Sequence, residues 1–196
     1  MTVPQPIIVP QEDCLARPAG LSPWQQTVST YLPHLSKPQV TVLVLWSFGM
    51  VLAQSCGLTT VAITLASILG SSERTRRAQL RDWYRDASHK SGAKRGRKRR
   101  SLEVSGCFAP LLCWVVPWIA PTCCHLALAM DASTLGQRLT ILSLSVVVRG
   151  CAIPVAWRLV AAATPGAWRP HWEALCRHLQ GSVPADWTVS VLADRG

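Results

Sequence analysis

Residues 38–70 contain no charged side chain, and this uncharged run restricts the fold more than any other feature of the sequence. Its length and hydropathy would allow a membrane span. Polar and small residues at 54–57 interrupt the run near its middle, however, and each half ends at a glycine. Glycine commonly ends a helix, and an apolar helix can be the buried member of a small helical domain. We therefore predict two buried helices, over 38–56 and 60–69.

Positive charge is concentrated in the segment that follows. Residues 72–100 hold 12 of the 20 Lys and Arg residues against 3 acidic residues, a net charge of +9. The whole chain carries +10, so the remainder is almost neutral. Such a block indicates an anionic partner, which is either nucleic acid or an acidic membrane surface.

The first part of the basic block has helical periodicity. Ser71 or Ser72 followed by Glu73 is a good helix start, and the pattern continues to about residue 88. Four cations fall on one face of this helix: Arg74, Arg77, Arg81 and Arg85. Three helices with a basic last helix resemble a helical DNA-binding module, so we predict that this face contacts DNA. The alternative is a solvated surface helix.

Residues 90–100 form a basic linker, because Gly92 and Gly96 interrupt any helix and the like charges repel one another. The linker acts either as a phosphate-neutralising arm or as a tether between domains. Its predicted DNA-binding residues are Lys94, Arg95, Arg97, Lys98, Arg99 and Arg100. The predicted organisation is an irregular lead-in (1–37), a helical DNA-binding region (38–89), the linker (90–100) and a second domain (101–196).

The second half changes from helical to strand patterns. Prolines divide 107–124, which is predicted to form buried connections packed by Trp114 and Trp118. Strand patterns follow, then a helix and a last strand, at 125–131, 139–149, 152–160, 167–179 and 187–193. The fold class is therefore α+β, with a small helical N-terminal region followed by a mixed sheet.

The order of these elements matches the first part of the ribonuclease-H-like plan. Two of the predicted strands end in a carboxylate, the first at Asp131 and the fourth at Asp194. In that plan the first and fourth strands are neighbours. We therefore expect the two carboxylates to lie close together.

Three segments carry a family resemblance: LALAMDAS at 126–133, IPVAWR at 153–158 and VLADRG at 191–196. They resemble the DDE transposases of bacterial insertion sequences. The resemblance implies an enzyme that binds transposon-end DNA and transfers DNA strands with Mg²⁺ or Mn²⁺. Asp131 would bridge two such ions and Asp194 would complete one coordination sphere. It implies no small-molecule substrate, and it allows a homodimer.

The sequence departs from the family at its third acidic residue, a Glu on a helix downstream of the second Asp. The carboxylates of Glu173 and Asp186 precede Asp194 and so come in the wrong order. We therefore expect a truncated chain with an incomplete ribonuclease-H-like sheet, which binds metal weakly and does not catalyse transposition alone. Such a chain would be either an inactive remnant or a DNA-binding regulator of the full enzyme.

The alternative from a different class is a small basic membrane protein with spans in 38–70 and 104–130 and its basic block at the cytoplasmic surface. The strand patterns of the second half do not suit bilayer spans. The N-terminal residues also lack the basic and apolar segments of a signal peptide. The expected location is therefore the cytoplasm, in association with the nucleoid, without a membrane partner.

Overall fold

A computed structural model describes residues 18, 20–90, 100–119, 124–162 and 168–193. In these residues the fold is α+β, with six α-helices and a four-stranded mixed sheet. They group into two compact units. The first consists of residues up to Gln26 together with Lys37–Ser101, and the second consists of Thr27–Ser36 together with the chain from Leu102 onward.

The first unit is helical. Helix α1 (Leu21–Tyr31) belongs to it as far as Gln26, and α2 (Lys37–Ala53), α3 (Leu58–Ile68) and α4 (Glu73–Tyr84) belong to it entirely. The last three confirm that helices form from residue 38 onward, but α2 and α3 are not wholly buried as predicted, since each has four buried residues. A 3₁₀ turn at Ala87–His89 replaces the predicted last turn of α4, because Arg85 and Asp86 adopt extended backbone conformations.

The break between α2 and α3 differs from the prediction in detail. Helix α2 ends at Ala53, three residues early, because Gln54 adopts a left-handed conformation (φ 46°). Such a residue satisfies the last carbonyls of a helix but cannot continue it. Gly57 has an extended conformation and is the N-cap of α3.

The bend at this break brings α2 and α3 into close contact. The two helices meet at 95°. Gly49 of α2 lies where a side chain would collide with Val61 and Leu65 of α3, both fully buried. None of the helices in the described ranges is by itself long and apolar enough to cross a membrane. Taken together, α2 and α3 have the length and composition that a membrane span requires.

The second unit contains the end of α1 and, from Leu102 onward, helix α5 (Phe108–Val115), which lies between 3₁₀ turns at Ser105–Cys107 and Val116–Trp118. The connections predicted here include a short helix, which forms because Pro110 lies in the first turn of α5, where the missing N–H costs nothing. Trp114 stacks on Tyr31 at 4.8 Å between ring centroids. Trp118 is 71% exposed and does not pack the core as predicted.

Four strands and a helix complete this unit: β1 (His125–Leu135), β2 (Leu139–Val148), β3 (Cys151–Ala161), α6 (Arg169–Leu179) and β4 (Thr188–Ala193). The sheet order is β3-β2-β1-β4. The first two pairings are antiparallel, and β1 pairs with β4 in parallel. The prediction that the first and fourth strands are neighbours is therefore confirmed.

Turn geometry sets the lengths of the strands. Gly136 (φ 62°) lies in the β1–β2 turn, and Arg149 and Gly150 both have positive φ in the two-residue β2–β3 turn. Two consecutive positive φ angles are typical of a type I′ hairpin. Because β1 and β2 stay paired as far as Leu135 and Leu139, β1 is four residues longer than the prediction of 125–131.

The core of the second unit lies between the sheet and helices α5 and α6. Alternate residues of β1 and β2 are buried there, together with one side of each helix. The fully buried leucines of this core are Leu112, Leu126, Leu142 and Leu144. This core holds β1 in place, one of the two strands that were predicted to end in the carboxylates of Asp131 and Asp194.

Candidate functional site

Helix α4 places the predicted DNA-binding arginines on one side of the first unit. The Ser72 side chain caps its start by accepting a hydrogen bond from the Thr75 N–H at 3.2 Å. At 100° per residue, Arg74, Arg77 and Arg81 fall within one outward sector of the helix. Arg85 follows immediately, at the C-cap. Arg74 is exposed, and the other three are partly exposed.

The opposite side of α4 holds the helix against α2. Leu80 is fully buried, and the Trp83 indole N–H donates to the Gln39 carbonyl of α2 at 3.2 Å. Trp46 of α2 contacts the rings of Trp83 and Tyr84 at 6.1 and 6.0 Å between centroids. These contacts fix the rotation of α4 about its own axis, with Arg74 exposed and Arg77 and Arg81 only partly exposed.

The arginines of α4 differ in what they contact. Arg77 forms an ion pair with Glu73, one helical turn earlier. Arg76, which the sequence analysis did not assign to DNA, donates to Ser71 Oγ at 2.7 Å and Gln79 Oε1 at 2.9 Å. Arg76 is therefore committed to the local structure. The spacing of Glu73 and Arg77 already indicated their pairing in the sequence.

Three of the four predicted arginines on this face have unengaged side chains. The side chains of Arg74, Arg81 and Arg85 make no hydrogen bond or ion pair with the part of the chain that the structure describes. The Nε atoms of Arg77 and Arg81 are buried without a hydrogen-bond partner among the described residues. Because these Nε atoms are buried, the exposed guanidinium of Arg74 is the one suited to an anionic partner.

Of the linker residues, only Arg100 lies within the described part of the chain, and it is exposed. Its carbonyl accepts a hydrogen bond from Lys90 Nζ at 2.5 Å. Next to it, Ser101 Oγ accepts from the Ala87 N–H at 2.9 Å. Five predicted DNA-binding residues lie outside the described residues: Lys94, Arg95, Arg97, Lys98 and Arg99.

Asp131 lies in the interior of β1, where it pairs in register with Ser143 of β2. The prediction that it ends its strand was wrong, because the β1–β2 hairpin continues beyond it. Asp131 is exposed, and its Oδ2 atom accepts a hydrogen bond from Ser133 Oγ at 2.5 Å. Asp131 does, however, follow the last described pair between β1 and β4, which joins Met130 to Ala193.

Asp194 follows Ala193 in the sequence and lies outside the described residues. Glu173 forms an ion pair with Arg169 on α6 at 2.9 Å, and Asp186 is exposed in the connection before β4. Within the described ranges, no group of three or more His, Cys, Asp or Glu side chains could hold a metal ion. The described part of the predicted metal site is therefore the single carboxylate of Asp131.

Two features of the second unit were not predicted from the sequence. One is an apolar cavity of about 390 Å³ beside α6, lined by leucines of the core and by Val189 and Val191 of β4. The other is Cys107, whose thiol lies 3.4 Å from His34 Nε2. Burial and the nearby Glu103 carboxylate both raise the pKa of the Cys107 thiol above its usual range. No sequence pattern indicated either feature, because each depends on residues that are distant in the chain.

Comparisons of the chain with known protein families, with curated proteins and with solved structures found no match.

Proposed function

We propose that this chain is the DNA-binding and partial catalytic part of a DDE transposase, with a ribonuclease-H-like second unit. The observation that carries the proposal is the parallel pairing of β1 with β4. It aligns Met130 with Ala193, the residues immediately before Asp131 and Asp194. The strand order β3-β2-β1-β4 also supports the ribonuclease-H-like plan.

In this proposal the outward face of α4 and the basic linker bind the DNA backbone. The guanidinium group of Arg74 is exposed and makes no side-chain hydrogen bond or ion pair within the described residues, so it is available to phosphate oxygens. Each phosphate that is neutralised releases condensed counterions, so binding should weaken steeply with salt.

The acidic site would hold a divalent cation. Carboxylate oxygens are the ligands that Mg²⁺ and Mn²⁺ prefer, and Asp131 is exposed with one described hydrogen bond, from Ser133. Asp131 and Asp194 would hold the ion, which supplies activation of the attacking oxygen and stabilisation of the leaving oxygen in phosphodiester chemistry. Ser133 fixes the direction of the Asp131 carboxylate.

Replacing all four stripe arginines (Arg74, Arg77, Arg81 and Arg85) with alanine tests the DNA interface. We expect weaker binding to duplex DNA and a fall of about three in the slope of log K against log salt, measured by fluorescence anisotropy. The matched control removes four exposed arginines of the second unit: Arg138, Arg149, Arg158 and Arg177. Equal losses in the two variants would show that net charge alone governs binding, against the proposed face.

Replacing Asp131 with asparagine tests the metal site independently of DNA. We expect the variant to lose most of the Mn²⁺ binding of the unsubstituted chain, measured by electron paramagnetic resonance of free Mn²⁺. Glu173→Gln is the matched control, because this carboxylate is paired with Arg169. Unchanged Mn²⁺ binding in Asp131→Asn would refute the metal role.

A further inference from the structure

The last turn of helix α2 is apolar and exposed. Met50, Val51 and Leu52 are 36%, 76% and 47% exposed, respectively. Successive residues of an α-helix are about 100° apart, so these three side chains spread over about 200° of the circumference. A helix that packs by one face exposes polar residues on the opposite side instead. The end of α2 therefore projects from the first unit with apolar side chains on more than half of its surface.

The exposed surface that continues from this helix end carries no charge. The sequence contains no charged residue from 38 to 70. Helix α3 starts beyond the bend, and its exposed positions are Thr59, Thr60, Ile63 and Ser67. Surface helices of globular proteins ordinarily carry charged residues on the side that faces water. Charged side chains are costly in lipid, so an exposed surface without them is suited to contact with lipid.

Aromatic side chains form a layer behind this helix end. Trp46 precedes Leu52 by six residues, which corresponds to about 9 Å along α2. Trp46 contacts the rings of Trp83 and Tyr84, and Tyr84 is exposed. Trp and Tyr are enriched at membrane–water interfaces, because their rings are apolar and carry one polar group. Apolar helix surfaces enter the boundary between headgroups and acyl chains to about 5–10 Å, a range that includes the distance from Leu52 to this layer.

Positive charge adjoins the aromatic layer and the far end of α2. Arg85 directly follows Tyr84 and belongs to the basic block of residues 72–100, with its net charge of +9. Lys37 is exposed at the first position of α2, at the opposite end of the helix from Leu52. Anionic lipid headgroups attract Lys and Arg residues that lie near the bilayer surface. The first unit therefore combines an apolar end that suits lipid with a positive charge that favours an anionic surface.

The arrangement of these residues favours a bilayer over a protein partner. A helix that binds in a protein groove presents apolar residues along one face, at spacings of three and four. In α2 the exposed apolar residues are consecutive at one end, and Trp46 and then Lys37 follow at increasing distance along the helix. A bilayer has the same order of layers, from hydrocarbon through the interface to the charged surface.

We propose that the first unit attaches to the surface of an anionic lipid bilayer, with Met50, Val51 and Leu52 inserted into one leaflet. Only the end of α2 enters the lipid, so the attachment requires no membrane span. It goes beyond the proposed DNA binding and does not depend on it, because the inserted residues lie on α2 and the arginine face lies on α4.

The test is sedimentation of the full chain with vesicles of phosphatidylcholine that contain phosphatidylserine, and with vesicles of phosphatidylcholine alone. We expect the chain to bind the anionic vesicles, and to bind the neutral vesicles at least about tenfold more weakly. Added salt should weaken the binding to the anionic vesicles. This comparison uses no substitution, so it tests the proposal even if a variant fails to fold.

A double variant tests the inserted residues. Val51→Asp combined with Leu52→Asp places two carboxylates on the helix end and should lower binding to the anionic vesicles by about tenfold or more. The matched control is Leu135→Asp combined with Leu159→Asp, at leucines of the second unit that are 55% and 56% exposed. The control has the same net charge and should keep most of the vesicle binding. Circular dichroism checks that both variants remain folded.

The outcomes separate this proposal from the DNA-binding proposal. Failure of the unsubstituted chain to bind either kind of vesicle, or equal losses in the two double variants, would overturn the attachment. A dimer in solution that the Val51→Asp and Leu52→Asp variant dissociates, without vesicle binding by the unsubstituted chain, would assign the end of α2 to protein contact instead. Vesicle binding without any binding to duplex DNA would overturn the proposed function and leave this inference intact.

Discussion

Gly49 lies where α2 crosses α3, and its replacement by alanine is expected to destabilise the first unit. The new Cβ atom would lie 2.8 Å from Val61 Cγ1 and 2.9 Å from Leu65 Cγ. Val61 is 0% exposed and Leu65 is 1% exposed, so neither side chain can move without displacing its neighbours. Overpacking a core costs about 1–3 kcal/mol, whereas glycine to alanine inside a helix ordinarily gains about 0.5–1 kcal/mol. The expected net loss of unfolding free energy is therefore roughly 1–2 kcal/mol.

Hydrogen exchange measured by mass spectrometry can locate this loss within the full chain. The amides of α2 and α3 should exchange about tenfold faster in Gly49→Ala, while those of β2 in the second unit serve as an internal reference. Val51→Ala is the control in the same helix. Because Val51 is 76% exposed, its truncation should change the free energy of unfolding by less than about 0.5 kcal/mol.

A double variant tests the proposed cause. Val61→Ala removes the side chain closest to the new methyl group, so Gly49→Ala should cost less in that background, with a coupling of about 1 kcal/mol. Unchanged or slower exchange of α2 and α3 in Gly49→Ala alone would refute the reasoning. Helix propensity would then outweigh packing at this crossing.

Three further predictions concern the helix cap, the core and a thiol. Ser72→Ala should cost about 1 kcal/mol in thermal unfolding because it removes the cap of α4, and Ser72→Asp should restore it; equal stability of the two variants would contradict the cap. Leu144→Ala, at a fully buried position, should cost about 2–5 kcal/mol in urea unfolding, and Leu159→Ala, at a 56% exposed position, under about 1 kcal/mol. Iodoacetamide should alkylate Cys107 more slowly than the exposed Cys56 at pH 8, since burial above all raises the pKa of Cys107 and only the thiolate reacts; the difference should narrow as pH rises, and equal rates at pH 8 would argue against this shift.

The elements of the fold were largely predictable from local patterns. The uncharged apolar run and its glycines indicated α2 and α3, and the Ser-Glu start indicated α4. The β-branched runs indicated β2 and β3, and the predicted end of α6 at residue 179 is confirmed. These signals involve residues a few positions apart, so the chain carries them whatever surrounds it.

Errors occurred where long-range pairing or exposure decides the outcome. The β1–β2 hairpin extends four residues beyond Asp131 because both strands find partners there, and the residues 132–135 alone do not indicate a strand. Trp118 is exposed, although tryptophan side chains are on average largely buried. It is the last residue of the 3₁₀ turn that follows α5.

The candidate DNA interface also depends partly on the sequence alone and partly on the tertiary structure. Sequence alone determined which residues share the arginine face of α4, because helical geometry depends only on spacing along the chain. The tertiary structure decided how this face is oriented, because Trp46 and Trp83 set the rotation of the helix. Arg76, in contrast, is engaged locally by Ser71 and Gln79. The tertiary structure also decided that β1 and β4 pair in the register that aligns Met130 with Ala193, since register depends on contacts between strands that are far apart in the chain.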